Sequence, residues 1–185
     1  MMRSNQTALL TVEEFVKIPD PPGGHYELHH GELALVPPPT NEHSYIQTQL
    51  LLILAKICVG WYVTMEFAFR PLPEHEVWRA DVGMIPKERL RSSPRKGWIS
   101  GAPDLVIEVL SLSNTAAELK DREQTCFQGG CREFWVVDSN VRSIRVSKPD
   151  GQAHTYNMGD EIPLDQFSPG NLAVAGVFQE GIFTA

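Results

Sequence analysis

Two carboxylates stand where a folded chain tolerates them only for a reason. Glu108 interrupts the apolar run Leu105, Val106, Ile107, Val109 and Leu110, and Asp81 opens a segment that continues through Val82, Met84 and Ile85. An ionised carboxylate inside an apolar strand is costly unless it is paired, protonated or bound to a metal. The plain alternatives are a charge at a strand's open end and an ion pair with a nearby arginine. The chemical reading is that acids on neighbouring strands, with a backbone carbonyl and waters, hold Mg²⁺ (or Mn²⁺) for phosphodiester hydrolysis. Asp104 is a poor partner for Glu108. The stretch of strand between them spans about 13 Å, too far to share an ion whose ligands lie at roughly 2–2.6 Å. Such a site also needs a cation against the charge that develops on the phosphate. Lys120 and Arg122 follow the Glu108 segment on a polar helix and can reach back over the strand end. Otherwise they pair with Glu118, Asp121 and Glu123 on a solvated face.

Other groups carry weaker signals. His25, His29, His30 and His43 could form a transition-metal cluster, but two of them are adjacent and so face opposite sides of a strand. Cys126 and Cys131 straddle Gly129-Gly130 without the spacing of a zinc site, and Cys58 reads as core. Lys87, Arg89, Arg91, Arg95 and Lys96 form the one basic cluster. They are either an ordinary exposed loop or a contact to the DNA backbone beside the site. Trp61, Trp78, Trp98 and Trp135 read as core or interface.

The elements that must position these groups follow from local patterns. Thr11 to Glu14 is a capping box, predicting a helix over about 12–17. Extended runs at 26–29 and 32–36 flank His30-Gly31, a hairpin signal. Ile46, Leu50, Ile53, Leu54 and Ile57 fall at helical spacing, so a helix capped by Thr40 or Asn41 is expected over 42–58. Strands are expected at 61–69, 77–85 and 104–110, with a polar loop over 86–102. The strand at 104–110 has the density of one buried on both faces. Ser113 or Asn114 is expected to cap a helix over about 115–128, closed by Gly129-Gly130, and strands follow at 133–137 and 143–147. The order helix, strand, strand, strand, helix, strand, with a parallel crossover at its end, implies a mixed α/β sheet flanked by helices.

Composition bounds the function. The 185 residues suit one domain over 1–185, and 42% hydrophobic residues exclude a disordered or fibrous chain. Sixteen basic against twenty-three acidic residues, a formal charge of −7, argues against a basic coat that grips nucleic acid regardless of sequence. Three cysteines make no disulfide scaffold, and there is neither a secretory pattern nor an apolar run of the roughly 20 residues that a spanning helix needs. The expectation is a cytoplasmic protein with reduced thiols and no membrane partner.

Several segments together resemble the Uma-type restriction endonucleases. They are Tyr26-Glu27-Leu28, Gly31-Glu32-Leu33, Pro37-Pro38, Glu42-His43, Ala80-Asp81-Val82, Gly101 to Ser111, and Arg132 to Asp138. The resemblance implies a PD-(D/E)xK nuclease fold, a restriction-endonuclease-like αβββαβ core with an N-terminal hairpin and C-terminal β additions. It implies metal binding by Asp81 and Glu108, with Glu32 as a third acid from the hairpin and His43 as an accessory group. It also implies DNA as partner, and a homodimer suits cleavage of two strands. The chain departs from the pattern at Ala80, where the family has Pro, and at Leu110, where the motif has Lys. The family carries that Lys on the following helix, where Arg122 aligns. Arginine stays protonated and binds phosphate but cannot act as a base. A second reading therefore stands beside the nuclease: a catalytically weakened, dimeric DNA-binding or protein-interaction module.

Overall fold

Local signals set the order of elements in the computed structural model, which describes residues 9–111 and 115–178. The chain opens with the short helix α1 (Val12–Phe15), held by the Thr11–Glu14 capping box. Strands β1 (His25–His29) and β2 (Glu32–Val36) pair antiparallel around a two-residue turn. His30 and Gly31 sit there at φ +50° and +78°, the positive values that a tight hairpin turn requires. Helix α2 (Asn41–Ile57) starts at Thr40, whose hydroxyl accepts from the His43 N–H. Strands β3 (Trp61–Arg70) and β4 (Trp78–Pro86) follow.

The polar stretch expected as a loop over 86–102 is not all loop. Lys87–Ser92 forms helix α3 and Ile99–Ser100 a short strand β5. The run Lys-Glu-Arg-Leu-Arg consists of good helix formers, and propensity prevails there over the general polarity. Next come β6 (Leu105–Val109), α4 (Ala116–Gln128), β7 (Glu133–Asp138), β8 (Ser143–Ser147), β9 (Ala153–Tyr156), β10 (Glu161–Pro163) and β11 (Asn171–Ala173). The cap of α4 is Thr115 in a capping box with Glu118; Ser113 and Asn114, the expected caps, lie outside the described residues.

Seven strands form one mixed sheet in the order β5-β3-β4-β6-β7-β8-β9. β6 and β7 run parallel with α4 as their crossover, whereas β3, β4 and β6 are antiparallel in turn. Ile46, Leu50 and Leu54 of α2 pack on one face, against Val82, Met84, Ile107 and Trp135. Cys126 of α4 packs on the other, with Phe69, Trp78, Val106 and Phe134. β6 is thus apolar on both faces because both are covered. The β1–β2 hairpin docks at the sheet margin through a bridge between Leu28 and Val77, over a small core with Val12 and Phe15. No helix among the described residues is long and apolar enough to cross a membrane.

The β3–β4 hairpin turns over in its middle. Val63, Val82 and Met84 belong to the α2 side, but Phe67, Phe69, Trp78 and Ala80 belong to the α4 side. Residues two apart in a regular strand share a face, so regularity breaks between the Met65–Val82 and Phe67–Ala80 pairs. Glu66 lies at that break with φ +50°, in the left-handed region that side chains other than glycine seldom adopt. Asp81 is its neighbour across the hairpin. The same turnover swings the Phe67 ring over Gly83, where a Cβ would stand 2.6 Å from the Phe67 Cβ and Cγ. Gly83→Ala should therefore cost about 1–3 kcal/mol of stability, the usual scale of overpacking. Urea denaturation followed by tryptophan fluorescence measures it, and an unchanged midpoint would contradict the close packing.

Candidate active site

The site forms where β4 and β6 part. Their register pairs Val82 with Ile107, so one step further along Asp81 stands opposite Glu108, beyond the last ladder pair. The Asp81 carboxylate crosses this gap and accepts the Val109 N–H at 2.6 Å through Oδ2. Its Oδ1 meets the His43 ring at 2.9 Å and accepts from the Gln47 amide at 2.9 Å. Both groups come from the first turns of α2, where residues four apart share a face. The same Gln47 nitrogen donates to Glu66 at 2.8 Å, so the left-handed kink is tied to Asp81 through one buried amide. Burial of the His43 ring disfavours its charge, but the Asp81 contact and the Glu66 charge raise its pKa above the ordinary value.

On the α4 side, Arg122 sits between two acids. Its Nε lies 3.1 Å from Glu108 Oε1 and its Nη1 donates to Glu27 Oε2 at 3.0 Å. Nη2 donates to the Arg79 carbonyl, and the guanidinium lies 5.2 Å from the Trp78 ring. The side chains of Glu27, Glu108 and Arg122 are 4%, 12% and 15% exposed, so these charges interact through protein rather than water. Glu27 is further held by the Arg79 N–H at 2.9 Å and His29 at 2.7 Å. Burial alone would raise its pKa, but Arg122, with His25 and His29, holds it well below the ordinary value. Glu108 goes the other way. Burial pushes its carboxyl well above the ordinary range; Arg122 pulls the other way, and the charges of Asp81 and Glu27 add to the rise. Arg122 and Glu108 are in ionic contact without an N–H aimed at the oxygen, so neither Nε nor Oε1 has a directed hydrogen bond.

Several sequence expectations change at this point. Glu32 is exposed at the start of β2 and takes no part in this cluster; the hairpin acid that does is Glu27. Lys120 is exposed, roughly 200° around the helix from Arg122. The charged residues of α4 do not pair along its surface: Glu118 caps it, Asp121 meets His30 at 2.7 Å, and Glu123 takes Arg145 at 3.0 Å. Asp104 is neutralised by Arg89 and Arg132.

The basic cluster is largely consumed in structure. Lys87 donates to the Val59 carbonyl, Arg89 to Asp104 and to the carbonyls of Ala102 and Ser100, and Arg91 to Glu88. Lys87 begins α3 at the far end of β4, about 20 Å along the strand from Asp81. Arg95 and Lys96 remain exposed. His25 and His29 both lie at Glu27, His30 at Glu76 and Asp121, and His43 at Asp81, and among the described residues no group of three or more His, Cys, Asp or Glu is placed to hold an ion.

Sequence reasoning passed over Glu27, Gln47 and Glu66 as site residues. Glu27 carried the same signal as Glu108, an acid between apolar strand neighbours, and Gln47 stands one helical turn after His43. The kink at Glu66 has no sequence signature.

Comparisons with known proteins give the family and the fold. A sequence model described as "Uma2: Putative restriction endonuclease" matches residues 12–175. The fold is similar to the crystal structure of a protein from Anabaena variabilis described as a putative nuclease belonging to DUF820. That likeness has a TM-score of 0.77 at 20% identity, over 91% of this chain and 97% of the other. No curated protein matches the chain.

The buried charge cluster yields two predictions. Arg122→Ala leaves Glu27 and Glu108 facing each other without a counter-ion and should cost about 3–5 kcal/mol, the scale of breaking a buried pair from one side. An unfolding free energy within error of the parent would contradict the buried pairing. Because Glu27 has a depressed pKa, its stabilising contribution is present above the ordinary value of 4.5 and is lost as the pH falls through its folded-state value. Thermal melts in acid should show Glu27→Gln with a flatter acid limb than the parent; parallel limbs would assign acid unfolding to other groups.

Proposed function

This chain belongs to the Uma2 family of putative restriction endonucleases, and we propose that it is a metal-dependent endonuclease that hydrolyses DNA phosphodiester bonds. The observation that carries the reading is the placing of Asp81 and Glu108 on either side of the β4–β6 parting, with Arg122 3.1 Å from Glu108. Mg²⁺ is commonly held by only one or two protein carboxylates, its remaining positions being filled by water and phosphate oxygens. Two acids therefore suit it where no three-ligand cage exists among the described residues. Glu108 Oε1, buried without a directed hydrogen bond, suits a hard cation. Asp81 and Glu108 are the groups that would hold Mg²⁺ or Mn²⁺, which when bound supplies charge stabilisation and an activated water.

The chain's own residues do the rest. His43 and Gln47 fix one oxygen of Asp81 and the Val109 N–H fixes the other, so the carboxylate is oriented before any ligand arrives. Arg122 stays protonated and offers positive charge to a phosphate, but it cannot take a proton.

One observation favours the second reading, a catalytically weakened, dimeric DNA-binding or protein-interaction module. Arg122 is already engaged by Glu27, the Arg79 carbonyl and Trp78, and Leu110 stands where the motif has Lys. The experiment is incubation of supercoiled plasmid and single-stranded DNA with Mg²⁺ or Mn²⁺. The parent should cut, and Asp81→Asn should lose about 100-fold or more, the scale of removing a charge-stabilising group. Binding without cutting by the parent, with cutting gained in Arg122→Lys, would favour the second reading. Neither binding nor cutting would defeat the nuclease and the DNA-binding module alike.

A further inference from the structure

Arg70 and Arg79 are the arginines of the β3–β4 hairpin, and neither guanidinium has a hydrogen bond or ion pair among the described residues. The backbone of Arg79 is fully used: its N–H donates to Glu27 and its carbonyl accepts from Arg122. Arg70 is half-buried and its Nε is shut off from solvent without an acceptor. A buried donor without an acceptor is unfavourable, and the described residues supply no acid to relieve it.

Strand geometry puts both groups on one surface. Phe67, Phe69, Trp78 and Ala80 point into the core beneath α4, so Ala68, Arg70 and Arg79 project from the opposite face. Arg79 stands directly across from Ala68, which makes Arg70 its diagonal neighbour, roughly 7–8 Å away. Ala68 between them is too small to cover either. Arg79 is two residues from Asp81, whose carboxylate meets His43 and Gln47 of α2 on this same side. Val77, beyond Arg79, joins the small core under α1. The floor between α1 and the start of α2 is therefore a strip with two uncompensated positive charges, ending at the candidate metal ligand. In a chain of net charge −7, unpaired arginines beside an acidic site call for an anionic partner.

We propose that Arg70 and Arg79 bind neighbouring phosphates of one DNA strand and lead it to Asp81. This rests on the reading that DNA is bound at this site, but not on its being cut. It assigns the backbone contact to the β3–β4 strip instead of the 87–96 segment. Two forked guanidiniums, with no acceptors among the described residues to compete, suit phosphate oxygens. Being on regular strands, they fix the register of the backbone and carry no base preference.

The test is fluorescence anisotropy with a labelled duplex in EDTA, so that cleavage plays no part, as a function of salt. Arg70→Ala/Arg79→Ala should weaken binding about tenfold or more and lower the salt slope by nearly two, one for each phosphate released. Arg70→Lys/Arg79→Lys keeps the charges and should keep the slope. Arg95→Ala/Lys96→Ala should leave affinity and slope unchanged. Circular dichroism melts establish that each variant is folded. An unchanged slope in the folded double alanine variant, a loss found only in the Arg95/Lys96 variant, or no binding by the parent would overturn the proposal. Absence of cutting with binding intact would count against the nuclease reading alone.

Discussion

The structure around the site depends on one buried arginine. Arg122 carries a full charge into a region sealed by Trp78 and α4, and it stays charged because Glu27 and Glu108 flank it. Each partner belongs to a different part of the chain: Glu27 to the N-terminal hairpin, Glu108 to the sheet, Arg122 to the crossover helix. Removing Arg122 leaves two buried carboxylates without a counter-ion, so the three elements are locked together by electrostatics as well as by packing. The two acids are not equivalent. Glu27 receives directed bonds from Arg122, the Arg79 N–H and His29, whereas among the described residues Glu108 has an ionic contact with Arg122 and no directed bond at Oε1. Glu27 acts as the standing counter-ion of Arg122, which leaves Glu108 the less committed carboxylate of the pair.

Asp81 is positioned by other means. The β3–β4 hairpin turns over at Glu66, and the Glu66–Gln47–Asp81 chain of hydrogen bonds ties that strained residue to the acid. Strained backbone that the surroundings over-determine is often found where a site must be held in one arrangement. The break at Asp81 also ends the β4–β6 ladder, so its carboxylate satisfies the Val109 N–H that the ladder leaves free. One irregularity thus accounts for the gap between the strands, the aim of Asp81 and the close packing of Phe67 on Gly83.

Much of this was readable from residue patterns, and the parts that were not share a cause. Asp81, Glu108 and Arg122 stood out because each conflicts with its local surroundings or aligns with a motif; the register of β4 and β6 sets Asp81 opposite Glu108, and Arg122 touches Glu108. The helix over 41–57 and the parallel crossover follow from periodicity and chain order. Choosing Glu32 over Glu27 rested on resemblance alone; which face of the hairpin meets the sheet is decided by the Leu28–Val77 bridge, a contact far apart in sequence. The basic segment at 87–96 looked available because clustering is visible in sequence and its carbonyl partners are not. Arg70 and Arg79 escaped notice for the converse reason: they are isolated in sequence, and only the register of β3 and β4 makes them neighbours.

The central claim is that Asp81 and Glu108 share one divalent cation while Glu27 retains Arg122. A crystal soaked in Mn²⁺ and measured for anomalous scattering tests it most directly. The account predicts a single strong peak within bonding distance of both carboxylates, with the Arg122–Glu27 contact kept. A peak among His25, Glu27 and His29, a peak at Glu32, or no peak at saturating Mn²⁺ would contradict it.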